Sequence, residues 1–233
     1  MASKNGTIQF ASRSEAGVKG FNQDALAIPP DEVDQQSLGT CLAVADGITL
    51  CAKGGELAEA AVKIVENYYN IAKEGNAGEV ALDQALEKLW LDFFLKVEND
   101  NDEDYLLSGT TLTVALIFRG RIHLRHLGDS HCDIFLPDGT FNRLTQEHST
   151  PDGSLLNYFG GELQTPAQEE TAEFPSGSKL ILSSDGISYF IETELMQNLG
   201  EKFSWKPEEL IEEMFTLSDQ AGSIDDKTLV FGY

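Results

Sequence analysis

Four aspartates of this chain stand where segments that read as β-strands begin or end. Asp46 and Asp185 each close an apolar run and are followed by a glycine. Asp24 stands at the entry to a strand-like segment, and Asp225 comes shortly before the last one. Carboxylates at strand ends are held on a rigid backbone, and a neighbouring glycine lets a metal, a water or a ligand approach the main chain closely.

Convergent aspartates suit hard divalent cations. Mg²⁺ and Mn²⁺ bind oxygen ligands and keep several waters, so a few carboxylates are enough. Two such ions about 3.5–4 Å apart make a bridging water hydroxide-like near neutral pH, able to attack phosphorus in line. A single Asp-Gly pair more often marks a turn, as we expect at Asp138 and Gly139. Two pairs that end apolar strands, with two more strand-edge aspartates, favour a metal site for phosphoryl chemistry.

Hydrophobic patterns predict the elements that position these residues. Consecutive strands without helices between them favour antiparallel sheets, with amphipathic helices on the outside. We predict an α+β fold, a β-sandwich of two antiparallel sheets flanked by helices on both sides. The predicted strands are 7–12, 25–28, 40–45, 110–118, 121–127, 132–136, 140–144, 179–183 and 227–233, and the predicted helices are 56–72, 80–97, 192–199 and 207–218. The acidic stretch 98–104 is predicted to be an exposed loop.

The amino-acid composition limits the classes of binding partner and the cellular compartment that we expect. The 233 residues include 39 acidic and 16 basic ones, a net charge of −23, which repels nucleic acid and anionic membranes. No run approaches the roughly 20 apolar residues that span a bilayer, and residues 1–6 lack the apolar core of a secretory signal. Three cysteines without a CxxC spacing predict reduced thiols. We therefore expect a cytoplasmic protein, and a monomer.

Seven motifs follow one another through the chain. They are 14–24, 44–47 with 54–58, 108–111, 127–130, 144–149, 180–186 and 225–228. The fourth contains Gly-Asp-Ser, the fifth reads Leu-Thr-Gln-Glu-His-Ser, and the last reads Asp-Asp-Lys-Thr. Each fragment alone is weak, but all seven in this order resemble the metal-dependent protein phosphatases, the type 2C serine/threonine phosphatases.

The resemblance implies a single catalytic domain over residues 1–233, with a binuclear Mn²⁺ or Mg²⁺ centre at one end of two packed sheets. By motif position Asp46 would bridge both ions, and the Gly47 carbonyl would contribute to one. Asp185 and Asp225 would complete one ion, and Asp24 would assist.

The resemblance also implies the reaction. The substrate would be phosphoserine or phosphothreonine in a protein, attacked directly by the bridging hydroxide. Asp46, Asp185 and Lys19 would be the catalytic residues, and Asp129 would help hold a third, weaker ion. His131 follows the Gly-Asp-Ser motif, where a basic residue is common; it could meet the phosphate, and a structural or surface role is the alternative.

Three departures from the family pattern affect these expectations. Lys19 occupies the place of an arginine that clamps the substrate phosphate, so we expect weaker or differently oriented phosphate binding. Gln23 stands where glutamate is common, which removes a negative charge near the ions. The segment between His148 and residues 155–161 is shorter than in bacterial members, where it forms a mobile flap, so we expect a reduced flap and an open cleft.

Two other functions stay open at this point. A phosphatase-like module could bind phosphoproteins without turnover, although keeping four mutually repelling aspartates then has little physical reason. A phosphohydrolase acting on a small molecule would also suit an open cleft. The favoured interpretation is a bacterial-type regulatory enzyme that opposes a partner serine/threonine kinase.

Overall fold

The computed structural model of the chain describes residues 8–150, 153–162 and 164–233, and of residue 76 the backbone alone. The segment 1–6, the first residue of the predicted strand 7–12, and part of the shortened flap segment therefore lie outside the described residues. Within the described ranges no helix is long and apolar enough to cross a membrane.

Two five-stranded antiparallel sheets form the centre of the molecule. The strands are β1 Phe10–Glu15, β2 Asp24–Ala27, β3 Thr40–Asp46, β4 Gly109–Thr110, β5 Leu112–Phe118, β6 Arg121–Leu127, β7 His131–Phe135, β8 Phe141–Arg143, β9 Phe159–Gly160, β10 Gln168–Glu173, β11 Lys179–Ser183 and β12 Lys227–Gly232. One sheet has the order β1-β12-β11-β7-β8 and the other β10-β6-β5-β3-β2, while β4 and β9 form a separate pair.

Helices cover the outer face of each sheet. They are α1 Gln35–Leu38, α2 Gly54–Ala61, α3 Ile64–Ile71, α4 Glu79–Asp100, α5 Glu103–Leu106, α6 Asp185–Ser188, α7 Thr193–Lys202 and α8 Pro207–Gln220. Helices α2 to α5 pack on the β3-β5 side, through Leu57, Tyr68 and Trp90 among others. Helices α6 to α8 pack on the β11-β12 side, where Met196 and Phe215 are buried. The predicted α+β sandwich with helices on both sides is confirmed.

The layer between the two sheets is apolar and fully enclosed. Leu42 and Val44 of β3 meet Leu182 of β11 and Val230 of β12 in one cluster, and each of these side chains is 0% exposed. Burying one such side chain contributes about 1.5–3 kcal/mol. Because β3 and β11 share this core, the aspartates that follow them are anchored to a common rigid base.

The predicted helix 56–72 is wrong as a single element. It forms α2 and α3, separated at Val62 and Lys63, where the Lys63 backbone N–H donates to the carbonyl of Ala60 in a tight three-residue turn. A π-helical turn, Ala72–Asn76, then follows α3 and contains Gly75 at φ 108°. The apolar face continues across both helices, so the hydrophobic pattern alone does not show the break.

The prediction of an exposed loop over 98–104 is also wrong in part. Helix α4 continues to Asp100, and the Asp102 carboxylate accepts a hydrogen bond from the Tyr105 backbone N–H to cap α5. Aspartate suits such caps, and Tyr105 is 2% exposed. Local capping and one buried aromatic ring therefore order a segment whose composition is typical of a loop.

Strands β9 and β10 and a break in the predicted strand 110–118 were not predicted. Edge strand β10 is polar and half-exposed, so its sequence lacks the apolar alternation of a buried strand, and its pairing with β6 orders it. The predicted strand 110–118 is interrupted at Thr111, whose backbone N–H donates to the Asp46 carbonyl at 2.8 Å. At this break the chain passes from β4, which pairs with β9, into β5 of the five-stranded sheet that also contains β3.

The shared inter-sheet core makes a stability prediction. Leu182→Ala removes a fully buried side chain just upstream of Asp185 and should lower the free energy of unfolding by about 2–5 kcal/mol in urea denaturation. Leu91→Ala, on the exposed face of α4, is the matched control and should change it by no more than about 0.5 kcal/mol. Equal effects of the two substitutions would contradict the described packing.

Candidate functional site

Asp24 and Asp46 face each other across two neighbouring strands. Strands β2 and β3 pair in antiparallel register with Asp24 directly opposite Asp46. Directly opposite residues of an antiparallel pair lie about 4.5–5.5 Å apart, so two like charges here repel each other. The Asp24 side chain is 8% exposed, and its Oδ2 accepts a hydrogen bond of 2.7 Å from the Ser184 hydroxyl.

Asp185 comes to the same place from the second sheet. It follows β11 and begins the short helix α6. Its carboxylate lies close enough to that of Asp46 for the two to repel each other. Ser184 links the two sheets beside it, because it donates to Asp24 and accepts from the Thr228 backbone N–H at 2.9 Å.

Asp225 and Asp226 occupy the loop before β12 but play different parts. Asp226 is 3% exposed, and its two carboxylate oxygens accept the backbone N–H groups of Gly17 and Gln23, each at 2.7 Å. Asp225 stays half-exposed, and its Oδ1 accepts from the Asp226 backbone N–H at 3.0 Å. Asp226 therefore ties residues 16–23, the loop between β1 and β2 that we call the opening loop, to the last strand, while Asp225 faces the site.

The end of β3 is held from its other side by two threonines. The Thr110 hydroxyl donates to the Asp46 carbonyl at 2.9 Å, and the Asp46 backbone N–H donates to the Thr111 hydroxyl at 2.9 Å. Gly47 follows with space for no side chain, because a Cβ there would lie 2.5 Å from the carbonyl carbon of Gly54 in α2. This close approach explains the glycine beside Asp46.

The carboxyl groups titrate abnormally because they are buried together. Burial raises the pKa of Asp24 to about 7, against the lowering effect of hydrogen bonds from Ser184 and Thr228. Burial, followed by repulsion from Asp24 and Asp185, raises the pKa of Asp46 well above its usual range. Burial also raises the pKa of Asp185 and takes that of Asp129 to about 7, with repulsion between these two carboxylates contributing to the latter.

The carboxylate oxygens of the site are the type of ligand that hard divalent cations prefer. Oδ1 of Asp24 and Oδ1 of Asp185 are buried without a hydrogen-bond partner in the protein, a costly state for a carboxylate. Within the described part of the chain, no three carboxylate, imidazole or thiol side chains stand at the spacing of a closed coordination shell.

Lys19 reaches the site from the opening loop. Its Nζ donates to the Thr49 hydroxyl at 2.7 Å and lies 3.4 Å from Asp225 Oδ1. The loop that carries it is held in place by Asp226. Lys19 thus places a positive charge beside Asp225.

His131 is enclosed and does not reach the surface. It begins β7, is 4% exposed, and its Nε2 lies 3.0 Å from Glu147 Oε1. Its Nδ1 is buried without a partner, and burial lowers the pKa of the imidazole. The imidazole works against the burial that raises the pKa of the nearby Asp185. These contacts are those of a structural residue behind the site.

Several residues that shape the site were not singled out from the sequence. Ser184, Thr111 and Asp226 each hold an aspartate or its loop through hydrogen bonds between distant segments. Small hydroxyl residues and a second aspartate in an Asp-Asp pair are common in loops, so nothing local distinguishes them. Gln23 also holds the site through its backbone, because its carbonyl accepts a hydrogen bond from the Gly47 N–H at 3.1 Å.

The fold is similar to those of solved phosphatase structures. The serine/threonine phosphatase PstP/Ppp of Mycobacterium tuberculosis superposes with a TM-score of 0.79 at 22% identity, covering 97% of each chain. The catalytic domain of PstP in complex with two manganese ions gives 0.76 at 23% identity, again covering 97% of each chain. The serine/threonine phosphatase of S. agalactiae gives 0.80 at 17% identity, covering 97% of this chain and 99% of that one. A comparison with curated protein sequences gave no significant match.

The family comparison covers nearly the whole chain. The family model of protein phosphatase 2C matches residues 13–228, a range that contains all the aspartates described above. The resemblance of the seven motifs, and the enzyme class that it implied, are thereby confirmed. The chain therefore belongs to the protein phosphatase 2C family.

Proposed function

We propose that this chain hydrolyses phosphoserine and phosphothreonine in proteins, using two Mn²⁺ or Mg²⁺ ions. The observation that carries the proposal is the gathering of Asp24, Asp46 and Asp185 from both sheets into one repelling cluster. Such a cluster costs free energy in the folded protein unless cations bind it. Membership of the protein phosphatase 2C family and the two manganese ions of the PstP structure support the same chemistry.

The residues take distinct parts in this proposal. Asp46 would be the central ligand, because Asp24 stands opposite it in the sheet and Asp185 is close enough to repel it. The Gly47 carbonyl, Asp185 and Asp225 would complete the ligand set, with Asp24 assisting. Asp129, whose pKa is raised by burial and by repulsion from Asp185, would help hold a weaker third ion.

The bound ions would supply an activated water and neutralise the negative charge on the phosphoryl group. The protein's own part is orientation. Lys19 offers a cation at the mouth of the site, and it can exchange its contact with Asp225 for a phosphate oxygen. Asp185 and Asp46 remain buried enough for their charges to act at low dielectric, which strengthens their hold on the ions.

The proposed activity would reverse the reaction of a protein kinase. A phosphorylated serine or threonine in a protein must be supplied by a serine/threonine kinase, and this chain would reverse that modification. We propose that residues 1–233 act as one catalytic domain in the cytoplasm, and as a monomer.

Phosphate release from a phosphothreonine peptide tests the activity directly. We expect release with Mn²⁺ or Mg²⁺, a loss of at least about a hundredfold in EDTA, and the same loss for Asp46→Ala. Circular dichroism of each protein shows that it is folded. No release by folded wild-type protein with any metal would reject the enzyme and favour a module that binds phosphoproteins without turnover.

Carboxylate repulsion predicts an unusual stability change. The folded-state pKa of Asp24 is about 7, above its ordinary value, so the metal-free folded protein binds extra protons and loses stability as the pH rises from about 4 to about 7. At pH 8 in EDTA, Asp46→Asn should therefore raise Tm, by about 2–4 °C for each kcal/mol of repulsion removed. Added Mn²⁺ should raise Tm of the wild type but not of this variant.

Asp31→Asn is the matched control, because Asp31 is exposed and the charge change is the same. It should leave both Tm and the response to Mn²⁺ unchanged. A lower metal-free Tm for Asp46→Asn would show that the carboxylate stabilises the fold and would contradict the metal assignment.

The part given to Lys19 can be tested separately. Lys19→Ala should lower kcat/KM by about 10–100-fold and weaken inhibition by inorganic phosphate by a similar factor, because a charged hydrogen bond to the phosphate is lost. Lys19→Arg should retain or improve both values. Lys88→Ala changes the net charge equally on the exposed side of α4 and should alter neither. Unchanged phosphate inhibition in Lys19→Ala would reject this assignment.

A further inference from the structure

Exposed apolar side chains are concentrated on the loops that carry the site. Among the described residues, seven large apolar or aromatic side chains are more than 60% exposed, and six of them lie on these loops. We call these six the apolar rim: Val18, Leu50, Leu107, Leu156, Tyr189 and Ile224. The seventh, Val80, lies on α4. Apolar surface concentrated in one place usually marks a binding surface.

One part of the rim borders Lys19 and Asp225. The Val18 backbone N–H donates to the Ile224 carbonyl at 3.0 Å, so these two residues lie side by side. Each directly precedes one member of the Lys19–Asp225 ion pair. Val18 is 73% exposed and Ile224 is 66% exposed, although both belong to well-bonded loops.

A second part stands across Lys19 from the first. Thr49 accepts the Lys19 hydrogen bond, and Leu50 follows it with 96% of its surface exposed. The Cys51 thiol then contacts the Leu107 carbonyl at 3.7 Å, which brings Leu107 beside the same loop. Lys19 therefore lies between two apolar pairs.

Backbone hydrogen bonds connect the segments of the remaining two members, Leu156 and Tyr189, to the segments that contain Asp129 and Asp185. The Leu156 backbone N–H donates to the His148 carbonyl at 2.7 Å, and the His148 N–H donates to Gly128, the residue before Asp129. The Tyr189 backbone N–H donates to the Asp185 carbonyl at 3.0 Å, and its ring is exposed. The rim thus extends to segments that are connected with both of these aspartates.

The negative charge of this chain indicates which charge a substrate segment should carry. The whole chain carries a net charge of −23, of which two bound divalent ions would offset only four charges. Acidic residues of a substrate segment would therefore be repelled by the surface around the site, whereas lysine or arginine would be attracted. Apolar residues next to the phosphorylated residue would cover the exposed rim.

We propose that the apolar rim selects the substrate, binding apolar side chains on either side of the phosphorylated residue within a basic, extended segment. This inference rests on the proposed function, because the phosphorylated residue has to sit between Lys19 and the aspartates. It adds a substrate class, namely apolar and basic phosphorylated segments, that the family assignment does not contain.

A pair of peptides tests the selection. Both carry phosphothreonine and two lysines at each end, and they differ in having leucine or serine at the two positions next to the phosphothreonine. The wild type should hydrolyse the leucine peptide with a kcat/KM about tenfold higher. Leu50→Ser combined with Ile224→Ser should reduce this ratio to about one. Leu91→Ser, an exposed leucine on α4, is the matched control and should leave the ratio at its wild-type value.

Two further measurements separate the possible failures. Hydrolysis of p-nitrophenyl phosphate with Mn²⁺ tests the proposed function without flanking residues; if it proceeds while the peptide ratio stays near one, the rim proposal is overturned and the phosphatase stands. If nothing is hydrolysed, fluorescence anisotropy of the two labelled peptides decides, since a tenfold difference in Kd that the double variant removes supports the rim without turnover. A wild-type dimer in sedimentation that the double variant dissociates would assign the rim to contact between copies, against the proposal.

Discussion

Electrostatic repulsion among the buried aspartates is the constraint on which the rest of this structure depends. Asp24 and Asp46 are opposite each other in one sheet, and Asp185 comes from the other sheet, close enough to repel Asp46. Their raised pKa values show that the folded protein holds these groups where ionisation is costly. A fold can keep such an arrangement only if the backbone beneath it is rigid.

The rigidity comes from the two sheets and from a few hydrogen bonds between them. The apolar layer between the sheets anchors β3 and β11, so the residues that follow them cannot move apart. Ser184 and Asp226 then connect the strand ends to the opening loop, through bonds of 2.7 Å to Asp24, Gly17 and Gln23. The loops are therefore fixed by polar contacts, and the strands are fixed by apolar ones.

The way the loops are held also determines which of their side chains are exposed around the site. Polar groups of the loops are turned inward, where they hold the aspartates. Some apolar side chains of the same loops, such as Leu50 and Ile224, are therefore exposed to solvent. Lys19 stands between them and provides a positive charge beside Asp225. Affinity for cations, recognition of phosphate and apolar contact with a flanking segment would thus all follow from how a few short loops are tied down.

The sequence by itself determined the fold class, most of the strands and the strand-end positions of the aspartates, because periodicity and strand-end position are local properties that one chain displays directly. It did not show the break between α2 and α3 or the edge strand β10, since neither differs in pattern from its alternatives. Only the tertiary structure decided that Asp226 holds the opening loop while Asp225 faces the site, and that His131 is enclosed. Both depend on which distant segment supplies the hydrogen-bond partner, and that is settled when the two sheets pack together.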